Sequence, residues 1–187
     1  GYFHNRPEQV LKYADPKEVE NEIYAQIDRV LSDGIKPTHL DVHMGVAYLE
    51  PFFPILLKVS KYYNIPLLIC KNFSMLFKDV ISESFSQEYM KEFFQEAVRL
   101  QLPVFDNFLI KFCDRKKTIF EHYDNLLSRA GPGIHWLALH ANAPDDLIKL
   151  NPVSFSIRLK EYQYFRNSKS YSLFNNQIRE SINWDNL

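Results

Sequence analysis

Helical and extended segments alternate along the first part of the sequence. Asp15 predicts the start of a helix, because Pro16 suits the first helical position and Glu18 stands three residues after the cap, as in a capping box. A strand, a second helix and a second strand are then predicted over residues 38–42, 54–63 and 65–70. Strands that alternate with helices are typical of parallel βαβ units, so the sequence predicts an α/β fold.

The first predicted strand carries titratable side chains at every second position. His39 and Asp41 belong to it and His43 follows directly, with Leu40 and Val42 between them. Alternate residues of a strand share a face, so the three titratable groups would lie on one side and the two apolar ones on the other. Burying such a group without partners is costly. This favours a functional site over the structural role that an isolated histidine usually has.

The geometry of a strand separates the roles of the two histidines. His39 and His43 would lie about 13 Å apart along a straight strand, whereas a metal–imidazole bond is about 2.1 Å long. One ring should therefore bind an ion while the other supports it. Sites in barrel-type α/β folds collect at the carboxyl ends of strands. This favours His43 as a metal ligand and Asp41 as its neighbour, with His39 as a supporting or structural group behind them.

Two later positions are further candidates. Helices are predicted over residues 87–101, 114–130 and 170–182, and strands over 102–105 and 134–139. Asp106 follows the first of these strands and His140 follows the second. Because the carboxyl ends of parallel strands share one edge of a sheet, we expect His140 and His43 to approach each other. Asp106 is a candidate for the same edge, although a turn or cap role explains it equally well.

Composition limits the classes of protein and partner. The 187 residues, 46% of them apolar, are enough for one domain over residues 1–187. A net charge of −1 argues against nucleic acid or an anionic membrane surface as the main partner. No apolar run reaches the roughly 18 residues of a transmembrane helix. The spacing of Cys70 and Cys113 matches neither a disulfide framework nor a zinc motif. The cysteines therefore do not indicate a cellular compartment.

Three motifs in a fixed order carry a resemblance to a known family. They are Lys36-Pro37-Thr38-His39-Leu40-Asp41-x-His43, then Pro51-x-x-Pro54-Ile55 with Asn64-Ile65-Pro66-Leu67, and finally Trp136-Leu137-Ala138-Leu139-His140-Ala141. From about Asp15 onward the chain resembles the YdjC-like carbohydrate deacetylases. These are metal-dependent enzymes that remove acetyl groups from N-acetylated sugars such as chitooligosaccharides.

The resemblance implies a fold, a cofactor and residue roles. The fold would be a parallel (β/α) barrel-like arrangement, and the cofactor a divalent metal ion, Mg²⁺ or Zn²⁺. His43 would be a metal ligand, Asp41 would orient it or lie near the metal, and His140 would assist acid–base chemistry. The substrate would be an N-acetylated oligosaccharide. His39 and Asp106 are candidates, from their positions in the predicted strands, to support these groups or to contact that substrate.

The sequence departs from the family pattern in ways that limit what is expected of it. The family's amino-terminal strand carries an Asp-Asp pair, one acting as general base and one as metal ligand, and a further ligand histidine follows. Neither element precedes Pro37, so we expect the chain to be the carboxyl-terminal portion of a family member and to bind metal weakly by itself. Met44-Gly45 replaces further family histidines, and Ala141 replaces the proline after His140.

Two alternatives to a deacetylase stay open at this point. One is a non-catalytic carbohydrate-binding remnant of the same fold. The other is a different metal-dependent hydrolase, whose site is built only from Asp41, His43 and His140. The sugar, the metal and homo-oligomer formation are also left open.

Overall fold

The structure is a computed structural model that describes residues 3–72, 87–110 and 118–167. Its elements, in chain order, are the helices α1 (Pro7–Tyr13) and α2 (Pro16–Ser32), a 3₁₀ helix (His43–Tyr48), α3 (Phe53–Tyr63), β1 (Ile69–Asn72), α4 (Gln87–Arg99), β2 (Val104–Leu109), α5 (Ile119–Ser128), β3 (His135–Leu137), α6 (Leu147–Leu150) and α7 (Phe155–Arg166). The strands form one small parallel sheet in the order β1-β2-β3, and the structure is of the mixed α/β class.

The described residues divide into two compact units. One contains those up to Phe105 and the other those from Asp106 onward. No helix in the described part of the chain is long and apolar enough to cross a membrane. The expectation of one domain over residues 1–187 stays a prediction.

Helix α2 begins where its sequence signals place it. The Asp15 carboxylate accepts a hydrogen bond of 2.7 Å from the main-chain N–H of Lys17, and Pro16 occupies the first helical position. The predicted N-cap is therefore confirmed. The inner face of the helix packs Ile27 against Val59 of α3 and Ile65, which anchors α2 in the core of the first unit.

The run from Leu67 to Cys70 is the most deeply buried stretch of the first unit. Each of its four residues is at most 1% exposed. This confirms the predicted apolar run covered on both faces. The strand itself is shifted toward the carboxyl side and begins at Ile69, while Leu67 makes an isolated parallel bridge with Leu40.

The predicted strand over residues 38–42 is wrong in extent, since only Leu40 pairs. The Leu40 N–H donates to the Pro66 carbonyl at 2.7 Å, and the Leu68 N–H donates to the Leu40 carbonyl at 2.9 Å. The preceding rung of this parallel ladder would need an N–H at Pro66, which a proline lacks. On the other side, Met44 and Gly45 take left-handed conformations (φ 59° and 70°) and turn the chain into the 3₁₀ helix.

In the second unit, β2 and β3 pair in parallel with Asn107 opposite His135 and Leu109 opposite Leu137. A buried apolar cluster joins β2 to α5 and α7, and it consists of Leu109, Tyr123, Leu126 and Tyr164. Helix α5 begins at Ile119 with a complete capping box of Thr118 and Glu121. The earlier start predicted at Asp114 and the helix predicted over residues 170–182 lie outside the described residues.

Both later strands differ from their predicted bounds. β2 extends to Leu109, so Asp106 lies inside the strand, not after its end. The expected run of residues 134–139 contributes only His135–Leu137 to the sheet, and His140 stands three residues beyond β3. Pairing with a short neighbouring strand, not the length of the apolar run, sets where each strand stops.

Candidate functional site

The segment that carries His39, Asp41 and His43 exposes two of these three side chains although it is hardly a strand. Asp41 and His43 are exposed and His39 is half-buried, while the intervening Leu40 and Val42 are half-buried. The His39 ring nitrogen Nδ1 lies 3.0 Å from the Thr38 hydroxyl. Asp41 and His43 are therefore accessible to a ligand.

A sharp turn presents His43 at the surface. The Gly45 N–H donates to the Val42 carbonyl at 2.9 Å, which closes a turn around His43 and Met44. Met44 has a φ of 59°, a left-handed conformation that is uncommon for a residue with a side chain. Left-handed residues other than glycine collect at functional sites, because the surrounding structure has to hold them there.

Tyr48 fixes the inner side of this turn. Its buried hydroxyl donates a hydrogen bond of 2.6 Å to the Leu68 carbonyl. In an unbroken parallel ladder, Val42 N–H and the Leu68 carbonyl would bond directly. The Tyr48 hydroxyl therefore replaces the Val42 N–H as donor to the Leu68 carbonyl. Direct main-chain pairing between the motif and the buried run stops at this point.

The Asp41 carboxylate acts electrostatically on three neighbouring groups. Burial lowers the pKa of His39, and the negative charge of Asp41 acts in the opposite direction. Burial raises the pKa of Cys70 to about 12, with Asp41 adding to the effect. Burial also raises the pKa of Tyr48 well above its ordinary value, and Asp41 again contributes.

His140 is held by its main chain. It is half-buried, and its N–H donates a hydrogen bond of 2.8 Å to Oε2 of Glu161 on α7. The other oxygen of Glu161 accepts a hydrogen bond of 2.8 Å from the Tyr123 hydroxyl. The loop after β3 is therefore attached to both α5 and α7.

Asp106 has a structural contact instead of a place at the sheet edge. From inside β2, its Oδ2 accepts a hydrogen bond of 2.8 Å from the Ile134 N–H. A Cβ at Gly133 would overlap the same carboxylate. Asp106 thus fastens the turn before β3 to β2, which corrects the prediction that it follows the strand.

Glu161 and Tyr48 were not among the residues predicted from the sequence. Glu161 replaces an apolar residue in the inward stripe of α7, between Ile157 and Tyr164, and that interruption is a signal that the sequence contains. Tyr48 offers no local signal, because its partner Leu68 lies 20 residues away.

A catalytic metal site needs about three protein ligands close together. Within residues 3–72, 87–110 and 118–167, no three His, Cys, Asp or Glu side chains are grouped so that they could hold an ion. A complete ligand set is therefore not found among these residues. His43, exposed at its turn, is suited to supply one ligand. The predicted approach of His43 to His140 joins residues of the two units and stays a prediction.

A mixed α/β fold and an exposed His–Asp segment do not by themselves define a protein family. Comparison with known proteins identifies the family. The family model described as "YdjC-like protein" matches residues 1–176. The chain therefore belongs to the YdjC-like family, and the resemblance noted in the sequence is confirmed.

Two curated relatives of the chain carry the same name. A carbohydrate deacetylase of Brevibacillus brevis is 38% identical over 61 residues, which are 33% of this chain and 25% of that protein. A carbohydrate deacetylase of Halalkalibacterium halodurans is 34% identical over 80 residues, which are 41% of this chain and 34% of that protein. The matched region thus spans between a quarter and about a third of these relatives' lengths.

Proposed function

We propose that the natural protein containing this chain is a carbohydrate deacetylase that hydrolyses the acetamide group of an N-acetylated sugar, of the chitooligosaccharide type. The observation that carries the proposal is the segment around His43. An exposed imidazole stands on a left-handed turn two residues after an exposed carboxylate. Family membership and the name of the two relatives support the choice of carbohydrate deacetylation.

The proposed reaction is the hydrolysis of an amide. Water oxygen bonds to the acetyl carbon, the carbon–nitrogen bond breaks, and the products are acetate and the amino sugar. His140 would donate a proton to the leaving nitrogen, since an amine anion is too basic to leave unprotonated. The group that takes the proton from water is not assigned to a described residue.

A divalent cation, Mg²⁺ or Zn²⁺, belongs to the proposal as cofactor. When bound, such an ion polarises the acetyl carbonyl as a Lewis acid. We propose that His43 supplies one ligand and that Asp41 orients it, with the other ligands outside the described residues. The finer fold implied by the family, a parallel (β/α) barrel-like arrangement, is part of the same proposal, as is a sheet edge shared by His43 and His140.

The experiment compares two histidine variants of the natural full-length protein. His43→Ala should lose both bound metal, measured by mass spectrometry of the purified protein, and acetate release from an N-acetylglucosamine oligomer. His140→Ala should keep its metal and lose about 100- to 10,000-fold in turnover, the range of a proton-transfer group. His4→Ala is the matched control, because His4 is exposed and lies outside the motif.

Several results would contradict the proposal. Undiminished turnover in His140→Ala, or loss of its metal, would remove the assignment of His140 as acid. Tight binding of the oligomer by the unaltered protein without acetate release would favour a carbohydrate-binding protein. Tight metal binding by residues 1–187 alone, abolished by His43→Ala, would favour a different hydrolase with its whole site in this chain.

A further inference from the structure

Glu161 is a buried carboxylate with no part in the chemistry proposed above. It lies on the inner face of α7 with 6% of its surface exposed, beside the apolar cluster that contains Tyr123 and Tyr164. Its two oxygens accept hydrogen bonds from different donors. Oε1 accepts from the Tyr123 hydroxyl and Oε2 from the His140 main-chain N–H, both at 2.8 Å. One side chain thus connects α5, α7 and the loop after β3.

Stability alone gives a poor account of this arrangement. Both hydrogen-bond partners are neutral donors, and burying a carboxylate is unfavourable unless its interactions compensate for lost hydration. Replacing buried charges by well-packed apolar groups is often neutral or stabilising. What Glu161 provides and an apolar residue cannot is an acceptor aimed at one particular N–H, that of His140.

Further main-chain contacts show that the loop around His140 is fixed on both sides. The Ala138 N–H donates to the Leu109 carbonyl of β2 at 3.0 Å, and the Asn142 N–H donates to the Arg158 carbonyl of α7 at 3.3 Å. Glu161 holds the residue midway between these two anchors. The main chain that carries the His140 imidazole is therefore held by hydrogen bonds at residues 138, 140 and 142.

We propose that Glu161 is the positioning residue of His140: its carboxylate holds the His140 main chain and thereby sets where the imidazole stands during turnover. The catalytic part of this inference rests on the proposed role of His140 as acid. Misplacing a reacting group by about 1 Å can cost about 100-fold in rate. Loss of the Glu161 acceptor should therefore lower kcat and leave KM close to its original value.

Two substitutions at Glu161 separate positioning from charge. In Glu161→Gln the amide oxygen still accepts from His140, and the amide nitrogen donates to the Tyr123 hydroxyl, which accepts as well as donates. Glu161→Ala removes both contacts. Tyr123→Phe is the matched control, since it removes the bond to Oε1 and leaves the one to His140 in place.

The first measurement is hydrogen exchange of the His140 amide by NMR, in the natural full-length protein. The amide should be protected in the unaltered protein, in Glu161→Gln and in Tyr123→Phe, and should lose its protection in Glu161→Ala. Exchange at the rate of a free peptide in the unaltered protein would overturn the inference, even if Glu161→Ala failed to fold. Unchanged protection in a folded Glu161→Ala variant would overturn it as well.

The second measurement is turnover of an N-acetylglucosamine oligomer in a double-mutant cycle. Glu161→Ala should lower kcat about 10- to 100-fold, and Glu161→Gln should retain most of it. In a His140→Ala background the same Glu161→Ala change should have no further effect on kcat. An equal loss in both backgrounds would show that Glu161 does not act through His140 and would overturn the inference.

The two measurements keep this inference apart from the proposed function. If His140→Ala were fully active, the assignment of His140 as acid would fail. The exchange of its amide would still decide whether Glu161 holds the His140 main chain.

Discussion

The hydroxyl of Tyr48 donates a hydrogen bond of 2.6 Å to the main-chain carbonyl of Leu68. In an unbroken parallel ladder this carbonyl would accept from the Val42 N–H instead, so the hydroxyl takes the place of the next main-chain donor. The residues up to Leu40 follow the buried run of the first unit, and beyond the tyrosine the chain turns away to expose His43. A single buried phenol thus separates the structural part of the motif from its accessible part.

Removing this hydroxyl should destabilise the protein measurably. Tyr48 is 2% exposed, and Tyr48→Phe would leave the Leu68 carbonyl buried without that donor. The expected loss in the free energy of unfolding is about 1–3 kcal/mol, measured by urea denaturation. Tyr63→Phe is the matched control, because its hydroxyl bonds Asp28 at an exposed position. An equal or larger loss in the control would contradict the role given to Tyr48.

A glycine at position 44 should stabilise the turn that presents His43. Met44 has a φ of 59° and the residue is 51% exposed, so the substitution relieves left-handed strain and removes little buried surface. Relief of left-handed strain should stabilise Met44→Gly by about 1–2 kcal/mol. The greater conformational entropy of glycine in the unfolded chain offsets part of this. The expected net gain in the free energy of unfolding is roughly 0.5–1 kcal/mol. Met44→Ala keeps the Cβ and should show no gain. Thermal unfolding of both variants provides the measurement, and a destabilised Met44→Gly would refute the argument.

Neutralising Asp41 should move the titration of His39. Burial lowers the pKa of His39, and the Asp41 carboxylate opposes that shift by stabilising the imidazolium. Asp41→Asn should therefore lower the pKa of His39 further, as followed by NMR of the ring protons in metal-free protein. Glu18→Gln removes a carboxylate that does not act on His39 and should leave its titration in place. A pKa that stays constant or rises in Asp41→Asn would show that the two side chains do not face each other.

The Cys70 thiol should make the protein less stable in alkali. Its pKa is raised from an ordinary value of 9.0 to about 12 by burial and by Asp41. The folded thiol therefore keeps its proton where the unfolded one has lost it. Its contribution is complete below pH 9 and is lost as the pH rises toward 12, by up to about 1.4 kcal/mol per pH unit.

The alkaline loss is measured as the difference between two proteins. Urea denaturation of Cys70→Ala and of the parent, both in a Cys113→Ser background, should give curves that converge as the pH rises above 9. Other titrating groups are common to both proteins and cancel. Parallel curves between pH 9 and 11 would show that the thiol is not shielded in the folded state.

Alanine at Gly133 should cost more stability than alanine at Gly131. Both glycines have positive φ values, 140° and 71°. A new Cβ at Gly131 meets open space, whereas one at Gly133 overlaps the Asp106 carboxylate. Gly131→Ala should cost about 1–2 kcal/mol and Gly133→Ala about 1–3 kcal/mol more, by chemical denaturation. If the excess came from this overlap, it would shrink in an Asp106→Ala background, and an unchanged excess would argue against the contact.

The sequence was a good guide wherever the deciding interaction is local. Helix α2 starts at its predicted residue because Asp15, Pro16 and Lys17 settle the cap among themselves. The strand at residues 38–42 was overestimated because pairing depends on its neighbour. The deciding fact, a proline at position 66 where the ladder needs an N–H, lies 28 residues beyond Thr38.

The candidate site also contains residues that the sequence indicated and residues whose roles depend on distant partners. Its exposed groups, Asp41 and His43, could be predicted from spacing and family resemblance, and their roles remain proposals. Asp106 was misplaced because its strand continues past it, which depends on pairing with β3. Glu161 was not predicted because the role of an acidic residue in an apolar helix stripe depends on its partner in another element. Here the partner is the main-chain N–H of His140.

The position of Glu161 in the chain also orders events during synthesis. The carboxylate that holds His140 is 21 residues downstream of it. A ribosome that has just completed β3 has therefore not yet made the group that fixes the following loop. The loop that bears His140 can reach its final geometry only after α7 has emerged from the ribosome and docked beside Tyr123, so its folding has to wait for a segment that is synthesised after it.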